Sequence, residues 1–452
     1  MSGAPQRAVS IVGAGLAGAL LALLLARRGL AVTLYERRPD PRQAQPERGR
    51  SINLALAARG LRALQLAGVM EEVRPLLLPM RGRMVHGLTG APVLQPYGQR
   101  AHEVIYSVGR ADLNRVLIAA ATRHAAVTAH FNQVCVGADP AADRLQLRDA
   151  ASGAVRELPL TPLIATDGAG SAVRSSLAKA ALLQVHEDWL DHDYKELTLP
   201  AVRAAHVLEA NALHIWPRGG FMLIALPNTD GSFTATLFLA RTGAASFANL
   251  GTPAAVAAFF GREFPDAAAH MPDLLEEFAR HPQGQLGTVH VTPWRVGGQV
   301  LLLGDAAHAI VPFHGQGMNA AFEDCTVLDA LLEDGGADWA RVFERFETLR
   351  RPNTEAIAQM ALENYTEMRD SVRDAAFVRR QAIAMALERR FPDRFVPRYS
   401  MVMFHPEITY AEALRRGSIQ ARLLEELDSG GGREPDAERA ARLVTERLPP
   451  LS

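Results

Sequence analysis

The chain has little that would staple or tether it. Two cysteines, Cys135 and Cys325, stand in 452 residues. That is too few for a disulfide framework, so a cross-linked secreted scaffold is excluded and a reducing cytoplasm is the simplest setting. Charge of one sign is missing too. With 48 basic and 49 acidic residues the formal net charge is −1, so no global field draws the chain to nucleic acid. Internal repeats are absent. Only residues 9–26 form a long apolar run, flanked by Arg7 and by Arg27-Arg28; by length alone it would pass for a signal peptide or membrane anchor.

The residues inside that run say otherwise. Val9-Ser-Ile-Val-Gly13-Ala-Gly15-Leu16-Ala17-Gly18 is followed by Val32-Thr-Leu-Tyr-Glu36-Arg37. The order is strand, glycine turn, helix, strand, acid, within the ~30 residues of a βαβ unit. Gly13 allows the tight turn, Gly15 lets the backbone approach a pyrophosphate, and Gly18 lets helix pack on strand. The helix N-terminus offers free N–H groups to the phosphates. Glu36 sits where an acid accepts a ribose hydroxyl and repels a 2′-phosphate. The tightly held ligand is therefore FAD or NAD, not NADP. No second glycine fingerprint follows.

Length allows two or three domains. Ala58–Leu66 reads as helix, and residues 84–109 alternate as strands. A helix starts at Gly109-Arg110-Ala-Asp112 and runs to about His124, with Asp112 as N-cap or first-turn acid. Val127–Val136, Leu145–Arg148 and Val155–Leu160 form a hairpin-rich excursion. Leu163–Gly168 and Val300–Asp305 read as buried strands ending in loops, and residues 186–240 as strands, with Asn228-Thr-Asp-Gly231 as a hairpin turn. Helical periodicity dominates from about Ala320, and the tail from Asp428 reads as frayed.

Three pieces then converge: the fingerprint, Asp167-Gly168-Ala-Gly-Ser171-Ala-Val-Arg174, and Gly304-Asp305-Ala-Ala-His308 with Pro312-Phe313-His314-Gly315-Gln-Gly317-Met318-Asn319. Asp305 leaves a buried strand and can accept a ribityl hydroxyl. The helix starting near Gly317 points its positive end at a flat, reducible ring. His308 and His314 come without partner acids, so no metal site is read. Cys325 reads as a small buried residue, not a nucleophile.

These pieces resemble the class A flavoprotein monooxygenases over roughly residues 8–380. Three strings are more specific and resemble the kynurenine 3-monooxygenase family. They are Gly49-Arg50-Ser51-Ile52-Asn53-Leu54-Ala55-Leu56, Val311–Ala320 with Phe322-Glu323-Asp324-Cys325, and Asn364-Tyr365-Thr366-Glu367-Met368-Arg369-Asp370. Position 57 is alanine where a small hydroxyl residue is expected. The C-terminus lacks the hydrophobic anchor of mitochondrial-membrane members, which implies a soluble, cytoplasmic, bacterial-type member.

The resemblance implies an α/β fold, α+β overall. A doubly wound Rossmann-type FAD domain (1–75, 103–180, 290–350) carries an inserted antiparallel β-sheet substrate domain (76–102, 181–289) and a helical C-terminal region (351–452). It implies tightly bound, non-covalent FAD, NADPH as transient reductant, O2 as co-substrate and L-kynurenine as substrate. The product is 3-hydroxykynurenine, formed through a C4a-hydroperoxyflavin in tryptophan catabolism. No nucleic acid, membrane or metal is implied, and the chain would be a monomer or homodimer.

Gly13, Gly15, Leu16, Ala17, Gly18, Glu36, Arg37, Leu54, Ala55, Arg110, Asp167, Gly168, Asp305, Gly317, Met318 and Asn319 would bind the cofactor. Arg83, Tyr97, Asn364 and Tyr399 would hold the substrate's head group, the arginine because its planar fork suits a carboxylate. Met222, Ile224 and Leu226 share one strand face, with Phe238 on the partner strand. Ile105, Leu213, Pro312 and Phe313 are further candidates for the walls, and Met368 would cap the pocket. Pro312, Phe313, His314 and Gly315 form the loop nearest the flavin by analogy. Two other readings stay open: a phenol or hydroxybenzoate hydroxylase of the same fold, and a flavin-binding relative without oxygen chemistry.

Overall fold

The computed structural model describes residues 8–43, 53–335, 338–371, 374–428 and 436–451. The string Gly49-Arg50-Ser51-Ile52 lies outside the described residues, as does 429–435 of the tail. Two compact units emerge. The first comprises Met1–Leu77, Val108–Leu190 and Leu286–Glu355; the second comprises Leu78–Ser107, Asp191–Gln285 and Ala356–Ser452.

The first unit is built on a six-stranded sheet. Its order is Arg295–Val296, Val300–Leu302, Leu163–Ala165, Ala8–Val12, Ala31–Tyr35, Val127–His130. All neighbours run parallel except the antiparallel edge strand Arg295–Val296. A parallel sheet needs both faces covered, which is why its central strands read as plain apolar runs. The helix Leu16–Arg27 is buried on every side from Gly18 to Ala26 and packs on the helices Arg110–Thr122 and Gly317–Gly335. Its unbroken hydrophobicity is that of a core helix. Among the described residues no helix is long and apolar enough to cross a membrane. Asp112 is a first-turn acid, not a cap; Gly109 holds the cap position without a side-chain bond. The excursion forms its own antiparallel sheet of Gln133–Asp139, Arg144–Asp149 and Val155–Pro159.

The second unit is built on a seven-stranded sheet, in the order Gln283–Thr292, Gln184–Leu199, Phe233–Ala240, Met222–Pro227, Leu213–Pro217, Gly82–Val85, Val93–Pro96. Strand Leu213–Pro217 pairs parallel with Gly82–Val85 and antiparallel with Met222–Pro227. One face carries Leu197, Leu199, Trp216, Leu223, Phe233 and Leu237 against Phe259, Phe260, Phe264 and Phe278 of the helices that follow. Residues 200–212, expected within a strand region, run instead as turns and bends; Pro200 follows directly on the long strand, and proline cannot donate to a ladder.

The tail departs from its reading as frayed. Ala437–Arg447 is a helix capped by Asp436, whose carboxylate accepts the Arg439 N–H at 2.8 Å. Leu443, Val444 and Leu448 are buried against Leu387, Phe395, Leu423 and Leu427. Charged composition concealed an amphipathic stripe worth roughly 1.5–3 kcal/mol per fully buried leucine or valine.

Candidate functional site

Strand Ala8–Val12 has Ala31–Tyr35 on one side and Leu163–Ala165 on the other. The chain order reverses there, so the carboxyl ends of strands 8–12 and 163–165 flank a topological switch point, where open α/β sheets bind ligands. Gly13 and Asp167 leave these two ends. Gly13 has φ +97°, and a Cβ there would lie 2.5 Å from the Thr166 oxygen and 2.8 Å from the Asp167 Cα. A Cβ on Gly18 would collide with the Gly13 carbonyl oxygen, whereas one on Gly15 would meet nothing within 4 Å. Gly13 and Gly18 are therefore demanded by the fold, and Gly15 by whatever fills the open space.

Glu36 is buried and already engaged. It accepts the Ala14 N–H at 2.8 Å, and Arg38 donates to it through its backbone N–H (3.0 Å) and Nε (2.8 Å). Burial pushes its carboxyl up, but Arg38 and the backbone bonds outweigh this and hold it below the usual range. Asp167 accepts the N–H groups of Ala172 (2.8 Å) and Val173 (3.3 Å) with Oδ2, while its Oδ1 is buried without a hydrogen-bond partner. Burial raises its pKa.

The third piece is held from behind. Asp324, fully buried, accepts the Gly304 N–H (3.1 Å), His308 Nε2 (2.6 Å) and Arg350 Nε (2.6 Å). Arg350 also bonds Glu323, which accepts Arg59 Nε at 3.0 Å. Burial raises the Asp324 pKa, yet His308 and Arg350 outweigh it and hold the carboxyl at about 2. His308 thus has a partner acid, contrary to the sequence reading, because Asp324 lies on a helix 16 residues further on. Asn319 spends its amide on the main chain: Oδ1 accepts the Ala57 N–H, and Nδ2 donates to the oxygens of Ala55 and Gly315, each at 2.9 Å. Its side chain positions loops. Leu54 and Ala55 lie in strand Asn53–Leu56, and Gly317 and Met318 open the helix Gly317–Gly335. Phe313 and His314 are buried in the turn Pro312–His314, which Gly315 ends at φ +64°, and Pro312 is exposed. Leu16 and Ala17 begin the first helix; Gly168 follows Asp167 at φ +83°, and Asp305 starts a short helix after Gly304. Arg37 and Arg110 are exposed. Both cysteines are buried, and burial pushes their thiols up, Cys135 to about 12.

The second unit gathers different chemistry. Register places Arg83 opposite Leu213, Ile215 opposite Ile224, and Met222 opposite Phe238. By the two-residue pleat, Arg83, Leu213, Met222, Ile224, Leu226 and Phe238 lie on one sheet face, the one away from the phenylalanine core. Arg83 is 7% exposed. Its guanidinium carbon lies 4.9 Å from the Tyr399 ring centre and 5.8 Å from that of Tyr97, and the two rings stack at 5.4 Å. Glu367 stands 3.5 Å from its Nη1. Burial works against the Arg83 charge, but Tyr399, Tyr97 and Glu367 outweigh it. Burial also raises both tyrosines. These four residues line a cavity of about 60 Å³. Asn364 and Met368 are buried one turn apart, with Asn364 Nδ2 3.2 Å from the Met368 sulfur. Ile105 is buried on a separate strand pair, opposite Met80.

Sequence reasoning missed Glu367 and the two glutamates that hold Gln99. Glu367 opens a π-helical turn, Glu367–Ser371, a distortion that recurs at functional sites. Buried Glu103 accepts the Gln99 and Arg100 N–H groups (2.6 and 2.8 Å), and buried Glu388 accepts Gln99 Nε2 (2.6 Å). Glu367 stood three residues after Asn364 in a quoted string; no local pattern marks Glu388.

The profile described as FAD binding domain matches residues 6–361. A kynurenine 3-monooxygenase of Myxococcus xanthus is 49% identical over 454 residues, spanning 100% of this chain and 97% of the relative. One of Stenotrophomonas maltophilia is 50% identical over 420 residues, spanning 93% and 92%. The chain belongs to the kynurenine 3-monooxygenase family. Members of this family are FAD-dependent monooxygenases, and the doubly wound fold with added sheet agrees with solved structures. A 2-methyl-3-hydroxypyridine-5-carboxylic acid oxygenase superposes with TM-score 0.65 at 22% identity, covering 82% of this chain and 94% of that one. A tetracycline destructase superposes at 0.61 and 18% identity, covering 84% and 96%. At those identities the likeness shows the fold. The residues present fit FAD: an open cradle at Gly15 and a helix N-terminus without a side-chain cap.

Proposed function

We propose that this kynurenine 3-monooxygenase family member hydroxylates L-kynurenine at ring carbon 3, with NADPH as reductant and O2 as oxygen donor. Full-length identity near one half with relatives of that name carries the reading. The buried Arg83 with its two tyrosines gives it a physical basis, because an α-amino acid carboxylate needs a bidentate cation.

In this reading Arg83 clamps the carboxylate, the Tyr97 and Tyr399 hydroxyls donate to it, and Asn364 contributes a further amide. The face of Leu213, Met222, Ile224, Leu226 and Phe238 takes the aniline ring, with Ile105 and Met368 as further wall. Bound FAD supplies the two-electron reduction of dioxygen from which one oxygen atom is transferred. The ring amine pushes electron density to its ortho carbon, so the protein needs no strong base. Its task is to fix the ring and exclude water. Pro312, Phe313 and Gly315 shape the loop that carries His314, and His314 donates a hydrogen bond to the substrate ketone or the transferred oxygen.

NADPH oxidation by the purified flavoprotein, with and without L-kynurenine, tests the reading while 3-hydroxykynurenine and peroxide are assayed. Kynurenine-stimulated oxidation matched by hydroxylated product is expected. Stimulation yielding only peroxide, or none, overturns it and moves the search to related anilines and phenols.

A further inference from the structure

We propose that Asp370 is a positioning residue for kynurenine binding: together with His192 it holds the hairpin turn at Gly219-Gly220, and that turn fixes the π-helical segment Glu367–Ser371 where Glu367 meets Arg83. The proposal rests on the reading of Arg83 as the carboxylate clamp.

Arg369 and Asp370 end the stretch Asn364–Asp370, yet neither lines the cavity around Arg83. Both instead reach the turn that joins strands Leu213–Pro217 and Met222–Pro227. The Gly219 N–H donates to the Arg369 carbonyl oxygen at 3.3 Å, and the Gly220 N–H donates to Asp370 Oδ1 at 3.0 Å. From strand Gln184–Leu199, His192 Nε2 donates to the Gly220 carbonyl oxygen at 2.8 Å, while its Nδ1 lies 2.6 Å from Asp191 Oδ1. Gly219 and Gly220 have φ +60° and +101°, a left-handed run that glycine reaches without strain.

A π-helical turn departs from the ordinary helical ladder and persists where its surroundings hold it. Here the hairpin holds it, with one N–H given to the Arg369 carbonyl and a second to the Asp370 carboxylate. Asp370 also pairs with Arg369 at 2.7 Å; that bond, with the one from Gly220, outweighs burial and holds the carboxyl below the usual range. Acceptance by a charged oxygen makes the Gly220 bond one of the stronger kind. Tyr365, next to Asn364, is buried, with the Arg369 guanidinium 5.1 Å from its ring centre and the His192 ring edge-on at 5.5 Å. The bonds close a circuit around the head-group site. Strand Gly82–Val85 carries Arg83 and pairs with Leu213–Pro217, with Arg83 opposite Leu213. That strand runs into the Gly219-Gly220 turn, the turn holds Arg369 and Asp370, and Glu367 stands 3.5 Å from Arg83 Nη1. The sheet sets where Arg83 sits, and the turn sets where Glu367 sits. Without the Gly220–Asp370 bond the cage keeps its residues and loses its fixed spacing, which ligand binding depends on.

Titration of the holoenzyme's flavin spectrum with L-kynurenine, beside steady-state turnover, tests this. Asp370→Ala removes the acceptor, whereas Asp370→Asn keeps an oxygen for the Gly220 N–H and gives up only the charge. Asp370→Ala should raise Kd about tenfold, the scale of a lost hydrogen bond to a charged group. Its FAD content should match the parent, and its turnover at saturating L-kynurenine should stay within about twofold, the pattern of a binding defect. Asp370→Asn should stay within about threefold of the parent Kd. A bond that served stability alone would lower Tm in Asp370→Ala and leave Kd unchanged, which overturns the proposal. So does an Asp370→Asn variant that binds as weakly as Asp370→Ala. Arg83→Ala in the same titration separates the two readings. If it binds weakly while Asp370→Ala binds as the parent does, the positioning role alone falls; if Arg83→Ala binds as the parent does, the clamp falls and the positioning role with it. Should Asp370→Ala not fold, His192→Phe, which removes the donor to the Gly220 oxygen, is judged by the same shift in Kd.

Discussion

The two units build their sites from different material. In the first, the candidate FAD-binding groups are largely main chain: the turn at Gly13–Gly15, the N-terminus of the helix Leu16–Arg27, and loops that Asn319 and Asp324 hold by their backbone atoms. In the second, the groups are side chains drawn from distant segments, with Arg83, Tyr97, Glu367 and Tyr399 around one cavity. Main-chain sites need particular residues in a fixed local order, because only glycine permits the turn and the close approach. Side-chain cages need only that the right groups meet, and sequence spacing says nothing of that.

The sharpest way to break this contrast is at the glycines. Gly18→Val drives a side chain into the Gly13 carbonyl oxygen and the Thr166 hydroxyl, both fixed in the core of the first unit. Overpacking of backbone has no cheap relaxation, so the variant should fail to give soluble protein. Gly15→Val enters open space. It should fold with an unchanged apoprotein melting temperature and purify colourless. If both variants behave alike, the distinction between fold-demanded and ligand-demanded glycines is wrong.

The side-chain site should break the other way. Arg83→Ala should cost kynurenine binding roughly 2–5 kcal/mol, the range for removing one partner of a desolvated charge pair, while FAD content stays at that of the parent. Titration of the flavin spectrum with L-kynurenine measures both. An unchanged dissociation constant would show that Arg83 is not the clamp and that Glu367, 3.5 Å away, is its permanent structural partner.

The same division explains what could be read in advance. The βαβ start, the switch-point loops and the helix at Gly317 follow from glycine spacing and buried strands, which are local signals. Arg83, Tyr97 and Tyr399 became candidates only through resemblance to a family, since an isolated arginine on a strand looks like any solvated charge. Glu388, which fixes Gln99, had no signal. His308 was read as lacking an acid because Asp324 is distant along the chain. The tail helix was hidden because its charged face dominates its composition.

A finer comparison sets one aspartate from each unit side by side. Asp324 and Asp266 are both held at about 2 against an ordinary value of 3.8. For Asp324, burial opposes this and His308 with Arg350 overcomes it; for Asp266, burial opposes it and the bonds from His86 and the Trp216 indole overcome it. Each carboxylate has a depressed pKa when folded, so each contributes stability that is complete above about pH 4 and is lost as pH falls toward 2. For fully buried Asp324 the contribution is about 2 kcal/mol. The Asp266 side chain is 46% exposed, and solvent screening should leave it well below that. Denaturant unfolding of Asp324→Asn and Asp266→Asn at pH 6 and pH 3 tests the ordering. Asp324→Asn should cost more at pH 6, and both deficits should shrink at pH 3, where the unfolded parent's carboxylates take up protons while the folded ones still hold their charge. A deficit that is equal at the two pH values would mean that shape, and not charge, is what each aspartate supplies.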